Sequence, residues 1–82
     1  MVILAIIGVE EAENIAKEFM ERELRKNGRQ LVEFRIASPT YLTTELNARI
    51  YIVTCEYTTF TLTPWKKQIV KVRATTGTVV GS

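Results

Sequence analysis

The chain has 82 residues, of which 46% are apolar and 24% charged, and its formal net charge is +2. That length supports one small core, residues 1–82 forming a single domain. The composition excludes a disordered tail, a collagen-like repeat and a disulfide scaffold.

The opening run Met1-Val-Ile-Leu-Ala-Ile-Ile7 is apolar but seven residues long, against the roughly 20 that a membrane span needs. It has neither the basic start nor the small-residue cleavage site of a secretory leader, so a cytoplasmic location is the default expectation. Because Ile and Val dominate, residues 2–7 read as a buried or edge strand. The alternative is the stump of a longer apolar segment.

Gly8 punctuates that strand, and the spacing predicts a helix over 9–27. Val9, Ala12, Ile15, Ala16, Phe19, Met20 and Leu24 keep the 3.6-residue period and make one broad stripe. Glu10, Glu11 and Glu13 crowd its first turns and Arg22, Arg25 and Lys26 its last, which suits the helix dipole at both ends. Glu13–Lys17, Glu18–Arg22 and Glu21–Arg25 have the favoured i,i+4 order. Asn27-Gly28 supplies a left-handed stop. Glu23 falls inside the apolar arc, either as a buried carboxylate with an arginine partner or because the helix has by then passed the edge of the sheet.

An antiparallel meander is expected over 31–81. Leu31 to Ala37 alternates, Val32, Phe34 and Ile36 on one face and Glu33 and Arg35 on the other, which predicts a half-buried strand ended by Ser38-Pro39. Phe34 is placed at the centre of the core. Thr40 to Leu46 reads as a connector. Asn47 to Thr63 is rich in β-branched and aromatic residues and too long for one flat strand, so a bend is expected near Thr58-Thr59. After the turn at Pro64-Trp65, Gln68 to Thr75 is a strand with Val70, Val72 and Ala74 inward. Thr76-Gly77 then turns the chain into Thr78–Val80. The fold class is α+β: one long helix across one face of an antiparallel three- to four-stranded meander, with an N-terminal strand as an option.

The chain has no histidine and no aspartate. It therefore lacks the usual general base and the commonest metal ligand, and cannot assemble a Ser-His-Asp arrangement by itself. Cys55 is a single thiol in an apolar run, which suits a buried structural role rather than a nucleophile or metal ligand. No enzymatic activity, cofactor or metal is expected.

One helix covers one sheet face, so a monomer should make the other face polar. The middle strand does not comply. Ile50 and Ile52 point one way and Tyr51, Val53, Cys55 and Tyr57 the other, so either choice leaves apolar side chains on the open face unless the loop 38–46 covers them. Ile50, Ile52 and Ile69, with Trp65 as an anchor, form a candidate interface for a homo-oligomer or a protein partner. Charge is also divided. The helix nets −2 and the remainder +4. Arg35, Arg49, Lys66, Lys67, Lys71 and Arg73 make a basic patch beside Trp65 and the tyrosines, a second reading in which the sheet binds single-stranded nucleic acid.

Three segments resemble PepSY-type domains. Glu10-Glu11-Ala12-Glu13-Asn14-Ile15-Ala16 is similar to the family's helix opening and Tyr51-Ile52-Val53 to its Tyr-x-Val strand. Val72-Arg73-Ala74-Thr75-Thr76-Gly77-Thr78-Val79 is similar to its closing strand and turn, with Arg73 where the family usually has an acid. The order of elements more loosely resembles cystatin-like folds, without their Gln-x-Val-x-Gly loop. The PepSY resemblance implies a non-catalytic, typically extracytoplasmic module that restrains or chaperones peptidases, with Gly77 structural. The leading expectation is thus a small binding or regulatory module that acts by protein contact through the open sheet face. A structural subunit of a filament is a related alternative.

Overall fold

The computed structural model describes residues 6–60 and 64–82. One helix, α1 (Val9–Lys26), lies on one face of a five-stranded antiparallel sheet, an α+β fold. The strands are β1 (Glu33–Ile36), β2 (Tyr41–Glu45), β3 (Ala48–Thr58), β4 (Lys66–Arg73) and β5 (Val79–Gly81). The strand expected over 2–7 lies mostly outside the described residues. Its described end is tied down, Ile7 N–H donating to the Ala74 carbonyl at 2.9 Å.

The helix begins without a side-chain cap, Gly8 being extended, and its first bond runs from Ala12 N–H to the Gly8 carbonyl. Its end is a Schellman motif. Gly28, at φ 69°, donates to Arg25 and Arg29 donates to Leu24, which satisfies carbonyls the helix leaves orphaned. The stop at Asn27-Gly28 is therefore where the residues place it. Of the three i,i+4 pairs, Glu21–Arg25 forms, at 4.0 Å. Glu13 turns instead to Thr40, whose hydroxyl donates to its carboxylate.

Buried Ala12, Ala16, Met20 and Leu24 recur every four residues and lie in one row along α1. Ala12, Ala16 and Met20 meet Tyr51, Val53, Cys55, Val70, Val72 and Ala74, with Ile15, Phe19, Phe34, Ile36 and Leu42 at the margin. Full burial of a Met or Val side chain stabilises by about 1.5–3 kcal/mol, so the short row at the middle of β3 and β4 carries much of the fold. Phe34 is half-buried on an edge strand rather than central, which corrects the expectation from its alternation.

Along one edge of β3, β1 pairs with residues 55–58 and β2 with residues 48–52. Between them Ala37–Thr40, four residues, face only Val53 and Thr54. Pro39 falls in this gap, where it interrupts no ladder bond. Two extra residues preserve the side-chain alternation, so Phe34, Ile36 and Leu42 all point to the helix. The expected connector at 40–46 is thus a strand and a turn. Its pattern is weak because Leu42 alone faces the core while Tyr41 on the other face is exposed. Leu46 and Asn47, at φ 49° and 62°, form the two-residue turn between β2 and β3, the left-handed pair of a type I′ hairpin. At the other turn Gly77 has φ 73°, and a Cβ there would sit 3.1 Å from Ile15 Cδ1.

Candidate functional site

The register decides which set of β3 meets the helix. Tyr51, Val53 and Cys55 do, and Tyr57 packs beside them. The Tyr51 hydroxyl donates to the Ile7 carbonyl at 2.8 Å, so its polar end is satisfied within the core. Ile50 and Ile52 therefore point to the open face. They are nevertheless only 4% and 6% exposed, which corrects their reading as a bare apolar patch.

The cover comes from the flanking strands. Ile52 stands between Tyr41 and Lys71, and Ile50 between Thr43 and Arg73. Lys71 on β4 reaches across β3 to Glu45 on β2, its Nζ donating to both carboxylate oxygens at 3.1 Å. Glu45 faces Ala48 and Lys71 faces Ile52, so this pair crosses the face above Ile50. A long aliphatic stem with a charged end suits such a roof.

Apolar surface persists at the rim. A groove of about 630 Å³ runs between the β2–β3 hairpin tip and the β4–β5 end, its apolar lining from Leu46, Ala48, Ile50, Ile69 and Val80. Glu45, Lys71 and Arg73 supply its charge. Leu46 is fully exposed, and Ile69 and Val80 are about half exposed. Of the four candidate interface residues, Ile50 and Ile69 line this groove and Ile52 lies beside it under cover. Trp65 is elsewhere, half-buried, with the Arg35 guanidinium 4.0 Å from its ring centroid. Arg35 also pairs with Glu56 at 3.4 Å, so one face of the ring is already stacked.

The basic residues do not form one patch. Arg35, Lys67, Lys71 and Arg73 share the open face, while Arg49 and Lys66, opposite Thr44 and Tyr57, have the parity of the helix side. Arg35 and Lys71 are engaged by Glu56 and Glu45. Glu23 is part-exposed at the helix end and accepts from Lys26 at 3.4 Å, so it is not a buried carboxylate with an arginine partner. The helix end still lies against the sheet, its Leu24 buried and Tyr57 and Gln68 beside Glu23.

Cys55 is fully buried, and burial together with the nearby Glu13 carboxylate pushes its thiol up to about 11, away from the reactive range. Among the described residues no cluster of three or more metal-ligating side chains occurs, and no helix is long and apolar enough to cross a membrane.

Sequence reasoning missed Leu46 and Val80. Leu46 is hidden because the residue pairs that announce a type I′ turn are Asn-Gly or Asp-Gly, and Leu-Asn is not among them. Asn47 before a β-branched run was the available signal. Compared with known proteins, the chain matches no family model, no curated protein and no solved structure.

Proposed function

We propose that the chain is a small non-catalytic binding module that acts by protein contact through its open sheet face, a second copy of itself being the first occupant. The observation that carries this reading is the rimmed apolar groove under a hairpin tip whose outermost side chain, Leu46, is fully exposed on left-handed backbone. A leucine is a poor choice for that turn on conformational grounds, and an exposed apolar tip beside an apolar groove suits a contact. The lack of histidine and aspartate and the buried, unreactive thiol support the non-catalytic part. The segments similar to PepSY-type domains support a regulatory contact, with a peptidase as the class of protein regulated. Division of the basic residues between two faces favours protein over nucleic acid as the partner.

Sedimentation velocity over a wide concentration range, at low and high salt, tests the reading. The wild type is expected to dimerise with little salt dependence, and Ile69→Lys to be a folded monomer. A monomer at every concentration, or a dimer indifferent to Ile69→Lys, contradicts it.

A further inference from the structure

Among the described residues, one edge of the sheet is only partly paired. β5 covers β4 only at Lys71 and Val72, with Arg73 N–H bonding the Thr78 carbonyl, and no described residue pairs with the outer side of residues 66–70. Antiparallel strands turn their backbone groups alternately inward and outward. Ala74 N–H donates to the Arg49 carbonyl on β3, so Val72, Val70, Gln68 and Lys66 also bond inward. The N–H and C=O groups of Lys67 and Ile69 therefore point away from β3, into the space that a strand continuing β5 would occupy.

The surroundings specify what that strand must carry. Lys66 and Lys67 are exposed on opposite sides of the edge, and neither has an ion-pair partner among the described residues. Glu56, directly opposite Lys67, is taken by Arg35. Ile69 offers an apolar surface next to Val80 in the groove. Edge lysines repel casual strand pairing, but the same lysines complement an acidic strand. A second copy is poorly suited: its strand glutamates are isolated, and two of the three, Glu45 and Glu56, are already ion-paired.

We propose that the outer edge of β4 at 66–70 binds an extended acidic segment of a partner protein as an added strand, antiparallel to β4 and in line with β5. This rests on the reading of the chain as a binding module, though its hydrogen bonds come from the sheet's edge and only its apolar residue, at Ile69, reaches the face. Run antiparallel, the segment meets Ile69, Gln68, Lys67 and Lys66 in that order. It therefore carries an apolar residue, any residue, then two acidic ones.

The probe is a capped nonapeptide centred on Val-Thr-Glu-Glu, with Val-Thr-Lys-Lys as its control, titrated into the ¹⁵N-labelled full chain. The acidic peptide is expected to bind, more weakly as salt rises, and to slow hydrogen exchange at Lys67 and Ile69 by about tenfold or more at saturation. The lysine control should not bind. The double variant Lys66→Glu with Lys67→Glu should weaken binding roughly tenfold, each lost exposed pair being worth about two- to fivefold. Ile69→Pro removes an outward N–H without touching a β3 bond and should abolish binding. Where that variant fails to fold, the double charge reversal carries the test. Equal binding of both peptides, no protection of the two amides, or protection present before peptide is added overturns the proposal. The titration is run at a concentration where sedimentation shows the chain to be monomeric, so that occupation of the groove by a second copy cannot block the peptide, and failure of the edge and failure of the face are told apart.

Discussion

Replacing Leu46 by asparagine should stabilise the protein while weakening its contact surface. Leu46 sits at φ 49° and is fully exposed, so the substitution removes no buried contact. Left-handed backbone costs an ordinary L-residue about 1–2 kcal/mol, and asparagine tolerates it markedly better. The expected gain for Leu46→Asn is about 0.5–1 kcal/mol. For a domain of this size 1 kcal/mol corresponds to about 4–8 °C, so Tm should rise by about 2–8 °C. Thermal and urea melts followed by circular dichroism measure it, with the urea slope unchanged because the surface exposed on unfolding is the same. Self-association in the same preparation should fall, since the apolar tip over the groove is gone. The melts are run at concentrations where both chains are monomeric, since loss of a dimer contact would itself lower Tm. A lower Tm there would refute the reasoning, because Leu46 would then be making stabilising contacts that its full exposure denies.

Two further outcomes follow from the core. Gly77→Ala should cost about 1–3 kcal/mol in urea denaturation, because φ 73° strains any L side chain and the new Cβ would meet Ile15 Cδ1 at 3.1 Å. A stability within 0.5 kcal/mol of wild type would contradict that turn geometry. The raised Cys55 thiol gives a pH signature of definite sign. Near pH 9 the unfolded thiol loses its proton while the folded one keeps it up to about 11, so the folded state binds more protons across that window. Stability is then level below pH 9 and falls between about 9 and 11, by up to about 2–3 kcal/mol. Cys55→Ala should flatten this component of the pH profile, as urea titrations at closely spaced pH values would show.

The helix was legible because several signals agree on it: the four-residue row Ala12, Ala16, Met20, Leu24, the acidic start, the basic end, and Asn27-Gly28 as a stop. Gly77 was legible for a similar reason, since a Thr-Gly corner needs a positive φ. The second strand was not. In Tyr41–Glu45 a single residue, Leu42, faces the core, and what makes this segment a strand is β3 beside it, a long-range partner that leaves little mark on local pattern. The same neighbour explains the site. Parity along β3 put Ile50 and Ile52 together on one face, but whether they are bare depends on the Lys71–Glu45 pair, which joins residues 26 apart across a third strand. The edge of β4 is likewise a property of register, visible only once the described pairing of β5 is seen to reach Lys71.

The claim that the open sheet face is the contact surface is tested most directly by ¹⁵N amide shifts recorded on serial dilution of the wild-type chain. Concentration-dependent shifts are expected at Thr43, Leu46, Ile69 and Val80, around the groove, with the row Ala12–Leu24 on α1 unchanged. Shifts concentrated on the exposed side of α1, or none across the whole range, would contradict the account.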